Sequence, residues 1–192
     1  MKRTVYPIGA AIAAALFFVA FYFEYPASPG SPWFPSTGPS TLGIPGASPV
    51  APLKPSRTPP EGALEYRDTT YRFSLFYPKD LSVSKKDNGG GSTTFVLQDP
   101  EQGIGLQIFV VPYGFPTITD EQFKKDDPSG VRTNTQEITI DGVKAVSFFS
   151  QSALLGDTAE IWFIKDGYLF EITAPKTLAE WLSGVMASWE FI

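Results

Sequence analysis

The architecture of this chain is set by residues 158–174, whose sequence is TAEIWFIKDGYLFEITA. Two apolar runs, Thr158–Lys165 and Tyr168–Ala174, flank the pair Asp166-Gly167. An Asp-Gly pair between such runs is the strongest short-range signal for a β-hairpin, because both residues tolerate the positive φ of a tight turn. The stretch therefore predicts two antiparallel strands.

A second hairpin of the same kind precedes the first one. Asp141-Gly142 joins the run Glu137–Ile140 to the run Val143–Ser150. The loop between the two hairpins, Gln151–Asp157, is longer. Together the hairpins predict an antiparallel meander of four strands.

Alternating apolar and polar residues predict further strands before the meander. These strands are Tyr71–Tyr77, Leu81–Ser84, Thr93–Gln98 and Ile104–Val111, the first two forming a predicted hairpin that turns at Pro78-Lys79-Asp80. The glycine run in Asn88-Gly89-Gly90-Gly91-Ser92 could suggest a phosphate-binding loop. Such loops are followed by a helix whose amides face the anion. Because a strand follows here, the run predicts a hairpin loop.

Two segments predict helices. Thr119-Asp120-Glu121-Gln122 has the form of a capping box, and Thr177-Leu178-Ala179-Glu180 repeats it. Apolar residues follow the second box at helical spacing: Leu178, Trp181, Leu182, Val185, Met186 and Trp189. This stripe either packs on the sheet or binds a partner. Core packing is the prediction, because an amphipathic helix that ends a domain normally covers its sheet.

The first 25 residues predict a transmembrane anchor. Lys2 and Arg3 precede an uncharged run, Val5–Phe23. As a helix this run is about 28 Å long, close to the thickness of the hydrocarbon core. The lipid-contacting residues in this interpretation include Val5, Leu16, Phe17, Phe18, Phe21, Tyr22 and Phe23. The basic N-terminus predicts a single pass with a cytoplasmic N-terminus and an extracytoplasmic C-terminal domain.

A cleaved signal peptide is the alternative to an anchor. A secretory peptide has an apolar core of about 7–15 residues and a small-x-small cleavage site. Here the apolar run is longer. The nearest small side chain that could end a cleavage site is Ala27, and the first position of that small-x-small site is then the bulky Tyr25. An uncleaved anchor is therefore the prediction.

Residues 26–62 predict a disordered linker. These 37 residues include 11 Pro, 5 Gly and 6 Ser, and their charged side chains are Lys54, Arg57 and Glu61. Proline removes backbone donors and excludes helix, which favours a semi-stiff spacer in front of a folded domain at 63–192. The alternative, a ligand for a proline-recognising domain, fits less well outside the cytoplasm.

The composition excludes several classes of function. The formal charge is −5 and the pI is near 4.8, whereas a nucleic-acid-binding protein needs a basic face. There is no cysteine and no histidine. Disulfides, thiol catalysis, imidazole-dependent triads and His-ligated metals are thereby excluded. We expect no cofactor.

Acidic residues form two candidate sites. Asp120, Glu121 and Asp126-Asp127 lack the D-x-D-x-D-G register of a calcium loop, so they predict a helix start and a turn. Glu160 and Glu171 lie on strands predicted to pair, and two acids can serve glycoside hydrolysis. Their alternation with apolar residues instead predicts positions that face solvent.

Tyr113 and Phe115 are the candidate contact residues of the domain. They lie in Pro112-Tyr113-Gly114-Phe115-Pro116, a loop that leaves a predicted strand. Rigid rings in such a loop either contact a ligand or partner or cap the core. Both roles stay open, with core capping favoured.

Both ends of the domain resemble PsbP-like domains. Tyr71-Arg72-Phe73-Ser74-Leu75-Phe76-Tyr77-Pro78-Lys79-Asp80-Leu81 is similar to the opening F-x-x-x-YP-x-x-W/L motif of that family. The end of the chain, Leu182 through Ala187-Ser188-Trp189-Glu190-Phe191-Ile192, is similar to the last helix and the terminal hydrophobic-x-S-F/W-x-F motif. The resemblance covers about 125 residues. It implies an α+β fold, an α/β/α sandwich in which helices flank a central antiparallel sheet.

The PsbP-like superfamily includes extrinsic photosystem subunits, regulators of import factors and uncharacterised membrane-anchored bacterial proteins. The photosynthetic members are linked to retention of calcium and chloride, with histidine among the proposed ligands. This chain has no histidine, so none of its residues takes that role. Its anchor and linker look more like those of the bacterial members.

The sequence therefore predicts a membrane-tethered, extracytoplasmic binding or assembly module that is not an enzyme. Its expected partners are membrane lipid, through residues 5–23, and a protein or cell-envelope component, but no nucleic acid. The alternatives are a carboxylate-dependent hydrolase of envelope glycan and a structural subunit of a membrane complex. Because one fold hosts many functions, the resemblance does not choose between them.

Overall fold

The computed structural model describes residues 52–126, 130–152 and 156–192. These residues form ten strands: β1 (Ala63–Asp68), β2 (Phe73–Pro78), β3 (Ser82–Gly89), β4 (Ser92–Asp99), β5 (Ile104–Pro112), β6 (Val131–Ile140), β7 (Val143–Ser152), β8 (Gly156–Lys165), β9 (Tyr168–Pro175) and β10 (Glu190–Phe191). The described residues also form two short helices, α1 (Asp120–Asp126) and α2 (Ala179–Ala187), and a 3-10 turn at Lys176–Leu178. The described domain is thus mostly antiparallel β-structure.

The strands form two antiparallel sheets. The small sheet has the order β1-β2-β10, and the large sheet has the order β3-β4-β5-β9-β8-β7-β6. In the large sheet, Ile140 lies opposite Val143 and Lys165 lies opposite Tyr168. Strands β6 to β9 therefore follow one another as the meander that the sequence predicts.

Both Asp-Gly pairs have the backbone that a tight hairpin turn requires. The φ angles are 42° at Asp141, 79° at Gly142, 51° at Asp166 and 81° at Gly167. Positive φ at both central residues gives a turn whose twist matches that of the flanking strands. The predicted glycine loop between β3 and β4 is also a hairpin loop.

The main core lies between the large sheet, the small sheet and α2. Leu182, Val185 and Met186 of α2 are buried in it, which confirms the core role predicted for the apolar stripe of this helix. Trp189 follows the helix, and its ring stacks on Phe73 of β2 with the centroids 4.4 Å apart. Burying a large apolar side chain stabilises the fold by about 1.5–3 kcal/mol, so this helix contributes strongly to stability.

The hairpin predicted from Tyr71–Tyr77 and Leu81–Ser84 is wrong. Strand β2 pairs with β1 and β10, whereas β3 pairs with β4 in the other sheet. The chain crosses between the sheets at Pro78, whose carbonyl accepts a hydrogen bond from the amide of Leu81. The sequence missed β1 because acidic residues, which are depleted in strands, interrupt its pattern.

The capping box predicted at Thr177–Glu180 is also wrong. Within the described residues, α2 has Leu178 at its N-cap and no capping hydrogen bond from a side chain. The chain enters the helix through the 3-10 turn, directly after Pro175. At α1 the amide of Gln122 donates to the Thr119 hydroxyl at 3.1 Å, so the first box supplies its predicted cap.

The predicted membrane anchor lies outside the described residues. This applies to Val5, Leu16, Phe17, Phe18, Phe21, Tyr22 and Phe23, and to the linker up to residue 51. Of the helices in the described ranges, none has the length and apolar character needed to cross a bilayer. Linker residues 52–60 form neither helix nor strand, but Lys54 and Arg57 contact the domain.

Candidate functional site

A second, smaller apolar cluster covers the other face of the large sheet. Its sheet residues are Phe148 of β7, Trp162 of β8 and Leu169 of β9. Phe123 of α1 and Tyr113 of the loop after β5 close over them. The ring centroids of Phe123 and Phe148, and those of Phe148 and Trp162, are both 5.5 Å apart. This part of the sheet is therefore buried on both faces.

Arg132 of β6 closes one side of this second cluster. Its guanidinium lies 4.7 Å from the ring centroid of Phe123 and 5.4 Å from that of Phe148. It also forms an ion pair with Asp120, the first residue of α1. Burial lowers the pKa of Arg132, yet a guanidinium stays charged at neutral pH. The guanidinium therefore packs on the rings of Phe123 and Phe148, whereas its ion pair with Asp120, whose side chain is 83% exposed, contributes little.

The two predicted contact residues have different environments. Tyr113 is 8% exposed, its amide donates to the carbonyl of Gly167 at 2.8 Å, and its hydroxyl donates to the carbonyl of Thr117 at 3.1 Å. Phe115 is 62% exposed, with its ring 5.4 Å from that of Tyr113. Tyr113 thus caps the second cluster and holds the loop that presents Phe115 to solvent.

The prediction that Glu160 and Glu171 face solvent is wrong. The two residues are only 5% and 9% exposed. Glu171 lies opposite Trp162, and Glu160 lies opposite Thr173, so both acids share the sheet face of the second cluster. The alternation assigned the correct face of the strands, but α1 and the loop after β5 bury this face.

Glu160 accepts hydrogen bonds from three side chains. Its Oε1 accepts from Thr158 Oγ1 at 2.6 Å, and its Oε2 accepts from Thr173 Oγ1 at 2.7 Å and from Trp162 Nε1 at 3.3 Å. Burying a carboxylate is costly unless such donors compensate it. Because the donors come from β8 and β9, Glu160 links these two strands.

The acidic residues near α1 do not form a metal site in the described ranges. No three Asp, Glu, His or Cys side chains of the described residues lie together in a way that suits a metal ion. Asp120 is engaged by Arg132, and Asp127 lies outside these ranges. Asp120 therefore lies in the first turn of α1 and pairs with Arg132 at the surface.

Sequence reasoning missed Phe123 and Arg132. Arg132 lies in the first half of β6, whose residues Val131–Gln136 are mostly polar, and the pairing with β7 is irregular between Thr133 and Gln136. Without regular alternation the strand has no periodic signal. Phe123, the single large apolar side chain in the sequence of α1, was the available signal for the inward face of that helix.

A comparison with solved structures identifies a protein of similar fold. The solution structure of cyanobacterial PsbP (CyanoP) from Synechocystis sp. PCC 6803 is similar to this chain with a TM-score of 0.50 and 15% sequence identity. The match covers 80% of this chain and 100% of that one. No family model matches this chain, and no curated protein matches it either. The comparison supports the PsbP-like fold that the terminal motifs predict.

Proposed function

We propose that this chain is a membrane-tethered, extracytoplasmic binding or assembly module of the α/β/α type, and not an enzyme. Residues 1–25 anchor it, residues 26–62 link the anchor to the domain, and the domain binds a protein or cell-envelope component. The basic residues before the apolar run at Val5–Phe23 support this orientation. A binding role, unlike the hydrolase alternative, requires no catalytic side chains.

The observation that carries the binding role is the exposure of Phe115. Phe115 is 62% exposed. An exposed side chain in a surface loop normally samples several rotamers, and the loop itself is normally mobile. Here Tyr113 fixes the loop through two hydrogen bonds to backbone carbonyls. A ring presented on a fixed loop loses little conformational entropy on binding, which is typical of the aromatic anchors of interfaces.

Photo-crosslinking from position 115 in intact membranes tests this proposal. A photoreactive phenylalanine analogue at Phe115 is expected to give a discrete crosslinked product that mass spectrometry identifies as one component. Leu64 of β1 is 46% exposed and lies on the small sheet, so the same analogue there serves as the matched control. The variant Phe115→Ser should lower recovery of that component about tenfold or more, as for interface anchors.

Equal crosslinking from positions 115 and 64 would contradict a contact surface at this loop. The same conclusion would follow if Phe115→Ser left recovery of the component unchanged. Because Phe115 is exposed, its replacement should change stability by less than about 0.5 kcal/mol. Loss of recovery is then separable from loss of folding.

The burial of Glu160 and Glu171 bears on the hydrolase alternative. Diagonal neighbours on adjacent strands are about 7–8 Å apart, within the spacing of paired glycosidase acids. Glu160, however, directs its carboxylate to Thr158, Thr173 and Trp162. Hydrolysis of an envelope glycan that is abolished by Glu160→Gln or Glu171→Gln, with folding retained, would replace the binding role by this one.

The structural-subunit alternative differs from an independent receptor in stoichiometry. Purification from mild detergent should return a fixed ratio of partners if the chain is a permanent subunit. A receptor that binds transiently should return alone unless it is crosslinked first. The exposed contact residue Phe115 is compatible with both a permanent subunit and a transient receptor.

A further inference from the structure

The end of the linker lies on an acidic strip of the domain. This acidic strip consists of Glu65 of β1, Glu190 of β10 and Asp141 of the turn between β6 and β7. Lys54 Nζ lies 2.8 Å from Glu190 Oε1 and 3.8 Å from Asp141 Oδ2. Arg57 Nε lies 3.0 Å from Glu190 Oε2 and 3.5 Å from Glu65 Oε1. Two linker cations thus contact three carboxylates from both sheets.

Backbone contacts hold the same segment. The amide of Arg57 donates to Glu65 Oε2 at 3.1 Å, and Arg67 Nη1 donates to the carbonyl of Pro55 at 3.1 Å. The Ser56 hydroxyl donates to Glu65 as well. The guanidinium of Arg57 lies 4.3 Å from the ring centroid of Phe76. These contacts fix the path of the linker backbone as well as its charges.

Glu65 is the centre of the acidic strip. Its side chain is only 6% exposed, and burial by itself would raise its pKa. Hydrogen bonds from Ser56, the Arg57 amide and Ser74, with the charge of Arg67, outweigh burial and hold the pKa of Glu65 below its usual value. Ionised Glu65 therefore stabilises the folded chain. This stabilisation is fully present above the pKa of an unfolded glutamate, and it is lost as the pH falls through the lower pKa of Glu65 in the folded state.

We propose that linker residues 54–57 are a strap whose binding site on the same chain is the acidic strip, and that this strap sets where the tether leaves the domain. With the strap bound, the rigid body begins at Lys54. With the strap released, it begins at Ala63, and nine further residues join the tether. In an extended conformation they add about 28 Å of reach. This change in reach rests on the membrane anchor proposed above, whereas the strap does not.

The chemistry of the strap defines what the acidic strip recognises. It accepts an extended segment with a lysine and an arginine three residues apart, and the arginine also stacks on Phe76. Single exposed ion pairs contribute little, and salt screens them. Here one arginine engages two carboxylates and a ring together, and an arginine in such a network is held better than an isolated lysine.

Trypsin digestion of the full-length chain in detergent tests the strap. Trypsin cleaves after lysine and arginine but poorly before proline, so Arg57–Thr58 is the sensitive bond and Lys54–Pro55 is resistant. With the strap bound, the Arg57 side chain is withheld from the protease. We expect Glu65→Gln/Glu190→Gln to speed formation of the fragment that begins at Thr58 about tenfold, and about 0.5 M NaCl to speed it in the parent chain.

One control variant and one second test variant complete the experiment. Glu180→Gln removes an exposed acid of α2 and should leave the cleavage rate unchanged. Lys54→Ala alters no residue of the sheets, so it loosens the strap even if the double variant folds poorly, and it should also speed cleavage. Equal cleavage rates in the parent chain, Lys54→Ala and the double variant overturn the strap. Protection that increases with protein concentration overturns its assignment to the same chain.

Discussion

At the residue scale, Glu160 shows how a buried carboxyl group is accommodated. Its carboxylate accepts hydrogen bonds from Thr158, Thr173 and Trp162. In Glu160→Gln an amide nitrogen, which donates, replaces one of the two oxygens that accept. At least one of the three donors therefore loses its acceptor. Leaving a buried polar group unsatisfied costs about 1–3 kcal/mol. We expect the variant to lose that much free energy of unfolding, measured by thermal unfolding with tryptophan fluorescence.

Glu137→Gln is the matched control for this prediction. Glu137 lies on β6 and is exposed, so its neutralisation should change stability by less than about 0.5 kcal/mol. Equal effects of the two substitutions would mean that the three hydrogen bonds to Glu160 contribute nothing to the net stability.

The sequence could not place Glu160 and Glu171 correctly because their exposure is decided elsewhere. Alternation along a strand shows which residues share a face, and it assigned these two correctly. Whether that face is open depends on what packs on it. Here Phe123 of α1 and Tyr113 of the loop after β5 do so, and neither follows from the sequences of β8 and β9.

At the element scale, α2 places three buried side chains, Leu182, Val185 and Met186, in the main core. Leu182 is 1% exposed and packs in that core. Replacing a buried leucine by alanine costs about 2–5 kcal/mol, because it removes apolar contacts and leaves a cavity. We expect Leu182→Ala to lower the free energy of unfolding by this amount in the same unfolding experiment.

Ser183, the next residue of α2, is exposed and supplies the control. Alanine has the highest helix propensity, so Ser183→Ala should leave stability unchanged or raise it slightly. If Leu182→Ala behaved like Ser183→Ala, the helix would be a partner-binding surface and not a part of the core.

Elements with strict local requirements were predictable. The two Asp-Gly turns need positive φ at both residues, and few other residue pairs provide it. The start of α2 was not predictable, because the 3-10 turn at Lys176–Leu178 displaces the cap that Thr177 would supply. The pairing of β2 with β10 depends on long-range contacts, which local sequence patterns do not encode.

At the scale of the whole molecule, the end of the linker contacts the domain through Lys54 and Arg57. All charged residues of the linker, which are Lys54, Arg57 and Glu61, lie at its C-terminal end. That position was the available sign that this end contacts the domain. Its partners, Glu65, Asp141 and Glu190, are far apart in sequence, so only the fold brings them together.

The absence of cysteine from the chain allows a direct measurement of its topology. A single cysteine introduced as Ser183→Cys, on the exposed side of α2, would be the only thiol available to a membrane-impermeant maleimide applied to intact cells or spheroplasts. Thr4→Cys, in the N-terminal segment, is the matched control, because it keeps the orienting charges of Lys2 and Arg3. The two variants differ only in the side of the membrane that each thiol is expected to face.

The account predicts that Ser183→Cys is labelled in intact cells, that Thr4→Cys is labelled only after the membrane is permeabilised, and that both chains sediment with membranes at full length. Labelling in the reverse order would contradict the proposed orientation. A soluble chain shortened near Ala27, or two thiols that both react only after permeabilisation, would contradict the tethered extracytoplasmic module itself.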